Sequence, residues 1–342
     1  MEERFLVVTK RTLKSIVLVA TVAMLAIPCL AQTRTRTTPT DPGLLVSLPE
    51  SDAVAQVQIK RLLNDVMPRI MAGNATKAAE LNANIENFKT RTGLDPRSFD
   101  QVALGVRYTY PSEGVTKLVT AALAKGSFSA GAMIAAGRLA SDGKYREEKY
   151  QGKPVYIFTL DQNVRLFGVI DLKIRELAAS PIDNNTLALG DPLSIRTVID
   201  AVAGRKRNNA ALIALATQDA NAIMGFGGNI SPQIIKNLNL GNASFAGDLS
   251  GLRQAYGSVN ANEANIDLFL GAKTVDADAA RNLGDTLEGL KQFGALFVGR
   301  LSGAKGALAK SALTNLKIVT EANELKIRTA VTQADVGLLI GN

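Results

Sequence analysis

YREEKYQGKPVYIFTL, Tyr145 to Leu160, is the stretch whose reading decides the fold. Tyr145 to Tyr150 and Val155 to Leu160 hold aromatic and β-branched residues of the kind that strands favour. Between them stand Gln151, Gly152, Lys153 and Pro154, a turn signal. Glycine enters left-handed backbone without steric cost, which a tight hairpin turn requires. A hairpin lays its strands antiparallel, so the sheet that holds this one is built from neighbours in sequence. Glu147 and Glu148 then occupy successive strand positions and point to opposite faces, so they do not form an acid/base pair. With Lys144, Arg146 and Lys149 beside them, they read as solvated cross-strand ion pairs.

The same signatures extend outward. Downstream, Leu172 to Ser180 and Thr186 to Leu189 flank Asp183-Asn184-Asn185 as a second hairpin, and Asp191-Pro192 opens a helix that Gly204 closes. Ile195, Ile199 and Val202 form its apolar face. Upstream, strands at about Gln101 to Tyr108 and Lys117 to Lys125 precede a helix that Ser129 caps and Ser141-Asp142-Gly143 ends. Nearer the start, Ala53, Ala55, Val57 and Ile59 alternate with polar residues, a strand with one buried face. A helix with Pro68 in it follows, then helical spacing through Ala78, Leu81, Ile85 and Phe88. After a short helix at Ala210 to Thr217, Ala220 to Gly228 reads as a glycine-rich strand. Strands at Leu249 to Val259 and Asn265 to Ala272 lead to a long helix, about Asp276 to Phe297, with the stripe Ala279, Leu283, Leu287, Leu290, Gly294 and Phe297. A helix at Lys305 to Leu313, a hairpin across Glu321 to Glu324 and a helix at Ala334 to Ile340 complete the chain.

These elements predict an α+β fold of two antiparallel-sheet units, each roughly strand–strand–helix–strand–strand–helix, with the helices on one face. The expected boundaries are 1–31 for an export segment, 32–46 for a linker, 47–230 for the first unit and 231–342 for the second.

Residues 15–31, SIVLVATVAMLAIPCLA, carry no charge, follow Arg4, Lys10, Arg11 and Lys14, and end in small residues. That order is the secretory signal pattern, with cleavage after Ala31. The uncharged run is also just long enough to stay as an N-terminal anchor. Lipid attachment at Cys29 fits less well, because Ala26 and Pro28 stand where that motif wants other residues. Cleavage would discard the one cysteine, so the exported chain builds no disulfide and rests on core packing. The chain has 342 residues, a net charge of +8, no tryptophan and 5% aromatics, so its core is largely aliphatic. The cations are scattered and not interleaved with aromatics, which argues against nucleic acid as a partner.

Histidine is absent, and with it imidazole base catalysis and Ser-His-Asp chemistry. Zinc sites with the usual N/S ligands go the same way. An all-carboxylate Ca²⁺ or Mg²⁺ site is chemically open, but EF-hand spacing is missing, and Asp276 and Asp278 read as helix N-terminal acids. Gly225-Phe-Gly-Gly-Asn-Ile230 fails the last glycine of a dinucleotide fingerprint. Ser302-Gly-Ala-Lys305 matches the Ser-x-x-Lys of penicillin-recognising enzymes. Its companion Ser258-Val-Asn260 precedes it, the wrong order, and Lys-Thr-Gly is missing. Ser302 and Lys305 are therefore the only, and weak, catalytic candidates; no cofactor or metal ligand set is expected.

The pieces LPESDAVAQVQIKRLLND, TGLDPRSFDQVALGV, YREEKYQGKPVYIF, DNNTLALGDPLSIRTVIDA and LKIVTEANELKIR resemble a group of exported bacterial proteins of unknown function, in which a Leu-Pro-x-x-Asp strand start, a Thr-Gly-x-Asp-Pro turn and a Thr-Leu-x-x-Gly junction recur. The resemblance spans most of the chain after residue 31 and implies export and α+β architecture. It supplies no catalytic residues. The expected function is that of an exported, non-enzymatic protein, periplasmic or extracellular, that binds an envelope partner or ligand or serves a structural role. A carrier of a lipid or other apolar ligand and a Ser/Lys hydrolase are the alternatives. Contact with a membrane is expected only through an uncleaved Ser15–Ala31 segment.

Overall fold

The computed structural model describes residues 7–8, 43–92, 95–112, 115–166, 170–237 and 247–340; Ser15 to Ala31 and most of the expected linker lie outside them. The chain is mixed α and β with antiparallel sheet. It forms two compact units, chiefly Asp41–Asp65 with Ala79–Ala214 and Val66–Ala78 with Leu215–Asn342.

In the first unit, β1 (Val7–Val8) lies against β4, with Val7 opposite Lys117. The other strands are β2 (Ala53–Val57), β3 (Phe99–Ser112), β4 (Val115–Gly126), β5 (Tyr145–Tyr150), β6 (Lys153–Leu166), β7 (Ile170–Asp183) and β8 (Thr186–Gly190). Their order is β2-β3-β4-β8-β7-β6-β5, each neighbour antiparallel. The deciding hairpin forms as its residues require: Gln151 and Gly152 take φ of 49° and 77°, and Tyr150 faces Lys153. Helix α1 (Ala75–Thr92) precedes a 3-10 turn that Asp95 caps by accepting from the Arg97 N–H at 2.9 Å. Ser129 caps α2 (Ala130–Ala140), and Asp191 caps α3 (Pro192–Val202) by accepting from the Leu193 and Ser194 N–H groups at 3.0 Å.

Four strands, not two, run between α2 and α3, so the first unit departs from the expected element order. The helices are also not confined to one face. Ala178 and Ala179 are consecutive strand residues and both are buried, as are Leu187 and Ala188, which demands cover on both sides of the sheet. Helix α2 packs Ala130, Met133 and Ile134 on Phe158, Ala179 and Leu187. Helix α3 covers the other face, where its Arg196 meets Glu148. Within the expected linker, Leu44 and Leu45 are buried in a 3-10 turn, so the packed chain begins there.

In the second unit, β9 (Met224–Asn229), β10 (Leu252–Ala261), β11 (Asn265–Thr274), β12 (Lys317–Glu321) and β13 (Glu324–Thr332) run in the order β12-β13-β11-β10-β9, again antiparallel. Helix α4 (Ala210–Ala216), which runs from the first unit into the second, precedes β9 in sequence and α5 (Pro232–Asn237) follows it; α5 had no counterpart in the sequence reading. Between Ile59 and Ile70 the chain is helical, with a π turn over Leu62–Val66 just ahead of Pro68.

The longest helix, α6 (Ala277–Val298), starts at Asp276, whose carboxylate accepts from the Ala279 N–H at 2.8 Å. Helix α7 (Gly303–Thr314) and α8 (Gln333–Ile340) follow. The first half of the α6 stripe is seated on the sheet, where Leu283 joins Ala272, Leu313, Leu316, Leu325 and Ile327 in one core. The second half is seated only through Gly294 and Val298, while Leu290 and Phe297 of the stripe, with Phe293 and Leu296 beside them, are exposed. Leu283→Ala is therefore expected to cost about 2–5 kcal/mol, as buried Leu truncations do. Leu296→Ala, on the same helix, should stay within about 0.5 kcal/mol. Urea midpoints of the two variants check this; equal losses would show the far half seated as well.

Candidate functional site

Ser302 sits at the N-cap of α7 without a side-chain capping bond, and both it and Lys305 are exposed. A lysine base must be desolvated or crowded by charge to stay neutral. Open solvent supplies neither, so this pair is not an activated nucleophile. Ser258, from the Ser-x-Asn motif, lies buried on β10 and donates to Asp219 Oδ2 at 3.4 Å. The glycine-rich run forms β9, where a Cβ on Gly227 would lie 2.4 Å from that of Leu215: close packing, not a phosphate cradle, explains that glycine. Glu148 pairs with Arg196 and Arg146, and the Arg196 hydrogen bond holds its carboxyl below the usual range. Among the described residues, no group of three or more acids or other ligands is placed to hold a metal ion.

Among the described residues, three surfaces bear on function. An open groove of about 370 Å³ in the first unit is lined by Gln58, Lys60, Arg61, Asn64, Asp65 and Asp100, all polar, with Lys60 and Asp100 bridged at 3.3 Å.

The second surface is the sheet face of the second unit opposite α6. Cross-strand pairing puts Tyr256, Gly271 and Lys326 side by side on it. The Tyr256 ring lies over Gly271, where a Cβ would come within 2.1 Å of it. Its hydroxyl donates to Glu324, and burial, reinforced by that carboxylate, raises its pKa strongly. Lys326 bridges Glu324 at 3.4 Å, and the Arg328 guanidinium stands 5.0 Å above the Phe269 ring. On the same face, burial pushes the Asp267 carboxyl above the usual range and the Asp219 charge adds to this, while Asn262 Nδ2, donating at 2.8 Å, works the other way. Every one of these groups has a partner within the fold, so this face reads as a satisfied polar network.

The third surface is the uncovered end of α6. Phe293 is 60% and Leu296 72% exposed, and Leu290, Phe297 and Leu301 accompany them. The Phe293 and Phe297 rings touch, with centroids 4.8 Å apart, and Arg300 lies over Phe297 at 5.5 Å. The turn into α7 is tight. Gly303 takes φ of 67°, and a Cβ on Gly306 would meet the Leu301 carbonyl at 2.1 Å. Leu313 packs 3.5 Å from where a Gly294 Cβ would be, so α7 braces α6 behind the exposed side chains. Five contiguous apolar residues on solvent are more than a monomer usually leaves open without a role. From residue 289 to 320 the chain carries Lys291, Arg300, Lys305, Lys310 and Lys317 and no acid. Periodicity revealed the stripe, but not that its end lacks cover. Among the described residues, no helix is long and apolar enough to cross a membrane.

No protein-family model and no curated protein matches the chain. Among solved structures it is similar to TP0453. Crystal form III matches at 11% identity and a TM-score of 0.46 over 90% of this chain and 100% of that one. Form I matches at 11% and 0.44 over 88% and 97%, and form IV at 12% and 0.43 over 89% and 97%. A likeness this slight carries no functional argument.

The raised Asp267 pKa fixes a sign. A carboxyl that prefers its protonated form in the fold contributes stability below its unfolded pKa and loses it as pH rises through the folded value. Asp267→Asn keeps an acceptor for Asn262 and never ionises. Its Tm is expected to gain on the native chain as pH goes from about 3 to about 7. A gap constant across that range would show that burial does not shift this group.

Proposed function

We propose that this chain is an exported, non-enzymatic binding protein of the bacterial envelope, whose binding surface is the exposed end of α6 with its turn into α7. The observation that carries the reading is the apolar set Leu290, Phe293, Leu296, Phe297 and Leu301, held on solvent by a braced helix pair. The charged, apolar, small-residue order of residues 1–31 supports export, with cleavage after Ala31. The exposure of Ser302 and Lys305 removes support from a hydrolase.

Produced in an exporting bacterium, the chain is expected to lose residues 1–31 by mass and to stay with the washed envelope. The variant carrying Phe293→Ser, Leu296→Ser and Phe297→Ser should move largely to the soluble fraction with an unchanged thermal melt, since exposed positions contribute little to folding. Identical partitioning of the two processed chains would sink the reading.

A further inference from the structure

We infer that the partner of the α6–α7 tip is an anionic lipid surface, on which the tip docks without spanning it; the inference rests on the binding surface proposed above. Two observations select this partner. The first is the pairing of chemistries along one stretch of chain. Apolar Leu290, Phe293, Leu296, Phe297 and Leu301 are exposed in a stretch, 289–320, that holds five cations and no acid between Glu288 and Glu321. An apolar face edged with cations is the pattern of helices that lie in a headgroup layer, the apolar side chains entering the acyl boundary and the cations meeting phosphate. The second is geometry. Arg300 stacks over Phe297, so one guanidinium sits at the rim of the apolar set, where its planar fork matches phosphate oxygens. Lys305 and Lys310 are exposed on the bracing helix, while Lys291 reaches back to Glu288 at 3.4 Å.

A second copy of the chain is a poorer occupant. A symmetric contact through this tip would bring the same cations face to face, with no acid in the segment to offset them. Burial against a neutral apolar groove would leave Arg300, Lys305 and Lys310 without a role. An anionic bilayer serves both the apolar and the charged halves.

The chain contains no tryptophan, so Phe293→Trp gives a single reporter at the tip. Leu139→Trp, at an exposed site on α2 in the other unit, serves as the control. Both are made in the chain as purified after export and mixed with phosphatidylcholine vesicles, with and without roughly 30% phosphatidylglycerol. The Phe293→Trp emission is expected to shift blue and to be quenched by brominated acyl chains only with the anionic vesicles, and the Leu139→Trp emission to stay unchanged. Raising salt to about 0.5 M should reverse most of the shift. Each of Arg300→Gln, Lys305→Gln and Lys310→Gln should weaken partitioning about fivefold. A tip that stays in water with anionic vesicles, or that shifts equally with neutral vesicles or at high salt, overturns the inference. If it fails while envelope retention still depends on Phe293, Leu296 and Phe297, the partner is a protein and the binding surface stands without the lipid.

Discussion

The seat of α6 on its sheet is the contact from which the second unit takes its form. Leu325 is fully buried there, and Gly284 lets the helix come close: a Cβ at that position would lie 2.7 Å from Thr320 Oγ1 and 3.3 Å from Leu325. A chain without tryptophan and, once residues 1–31 are removed, without cysteine has few large groups and no crosslink with which to bind layers together. It depends on aliphatic side chains and on backbones that approach at small residues. Each buried Leu in that core contributes on the order of 2 kcal/mol through burial. The same seat fixes where α6 must end. An α-helix rises about 1.5 Å per residue, so 22 residues extend for about 33 Å. The apolar stripe runs that whole length, whereas along the second half the core receives Val298 but leaves Leu290 and Phe297 exposed.

Much of the architecture was legible because its signals are local. Gln151-Gly152 needs left-handed backbone and takes it; Asp191, Ser129 and Asp276 are side-chain acceptors one position before a helix, and each caps one. Strand count and cover were less legible. Strands β6 and β7 run 14 residues each; β7 alternates cleanly at Ile170, Leu172 and Ile174 and loses that alternation by Leu177. Burial on both faces erases that alternation, since alanine and leucine then serve at odd and even positions alike, as at Ala178, Ala179, Leu187 and Ala188. The reading of helices on one face failed for this reason. Leu44 and Leu45 were lost to the expected linker because two residues carry no period.

The candidate surface was half legible. A stripe at 3.6-residue spacing says which side of a helix is apolar, not how far along that side a neighbour reaches. Leu283 and Phe297 look equivalent in sequence, yet the first is buried and the second is largely exposed, touched by Phe293 and Arg300. The charge around it was visible in principle, but scattered cations read as unremarkable until the fold gathers α6 and α7 into one tip. The Ser-x-x-Lys match shows the converse. Its spacing was right, and solvent exposure at Ser302 and Lys305 removes the environment that the chemistry needs.

The two polar surfaces and the apolar tip differ in what the fold leaves undone. Tyr256 has Glu324, Lys326 has Glu321 and Glu324, and Lys60 has Asp100; their hydrogen-bonding and charge demands are met inside the chain. A satisfied network gains little from a new partner, because any contact must first replace one already made. Apolar side chains in water are in the opposite position, since every ångström of cover is gain. Bracing by Leu313 and the tight turn at Gly306 mean that the tip is already in shape before it meets anything, so little ordering cost is left for the encounter. A braced apolar end edged by cations thus has its unmet demand facing outward, and that demand is for apolar cover.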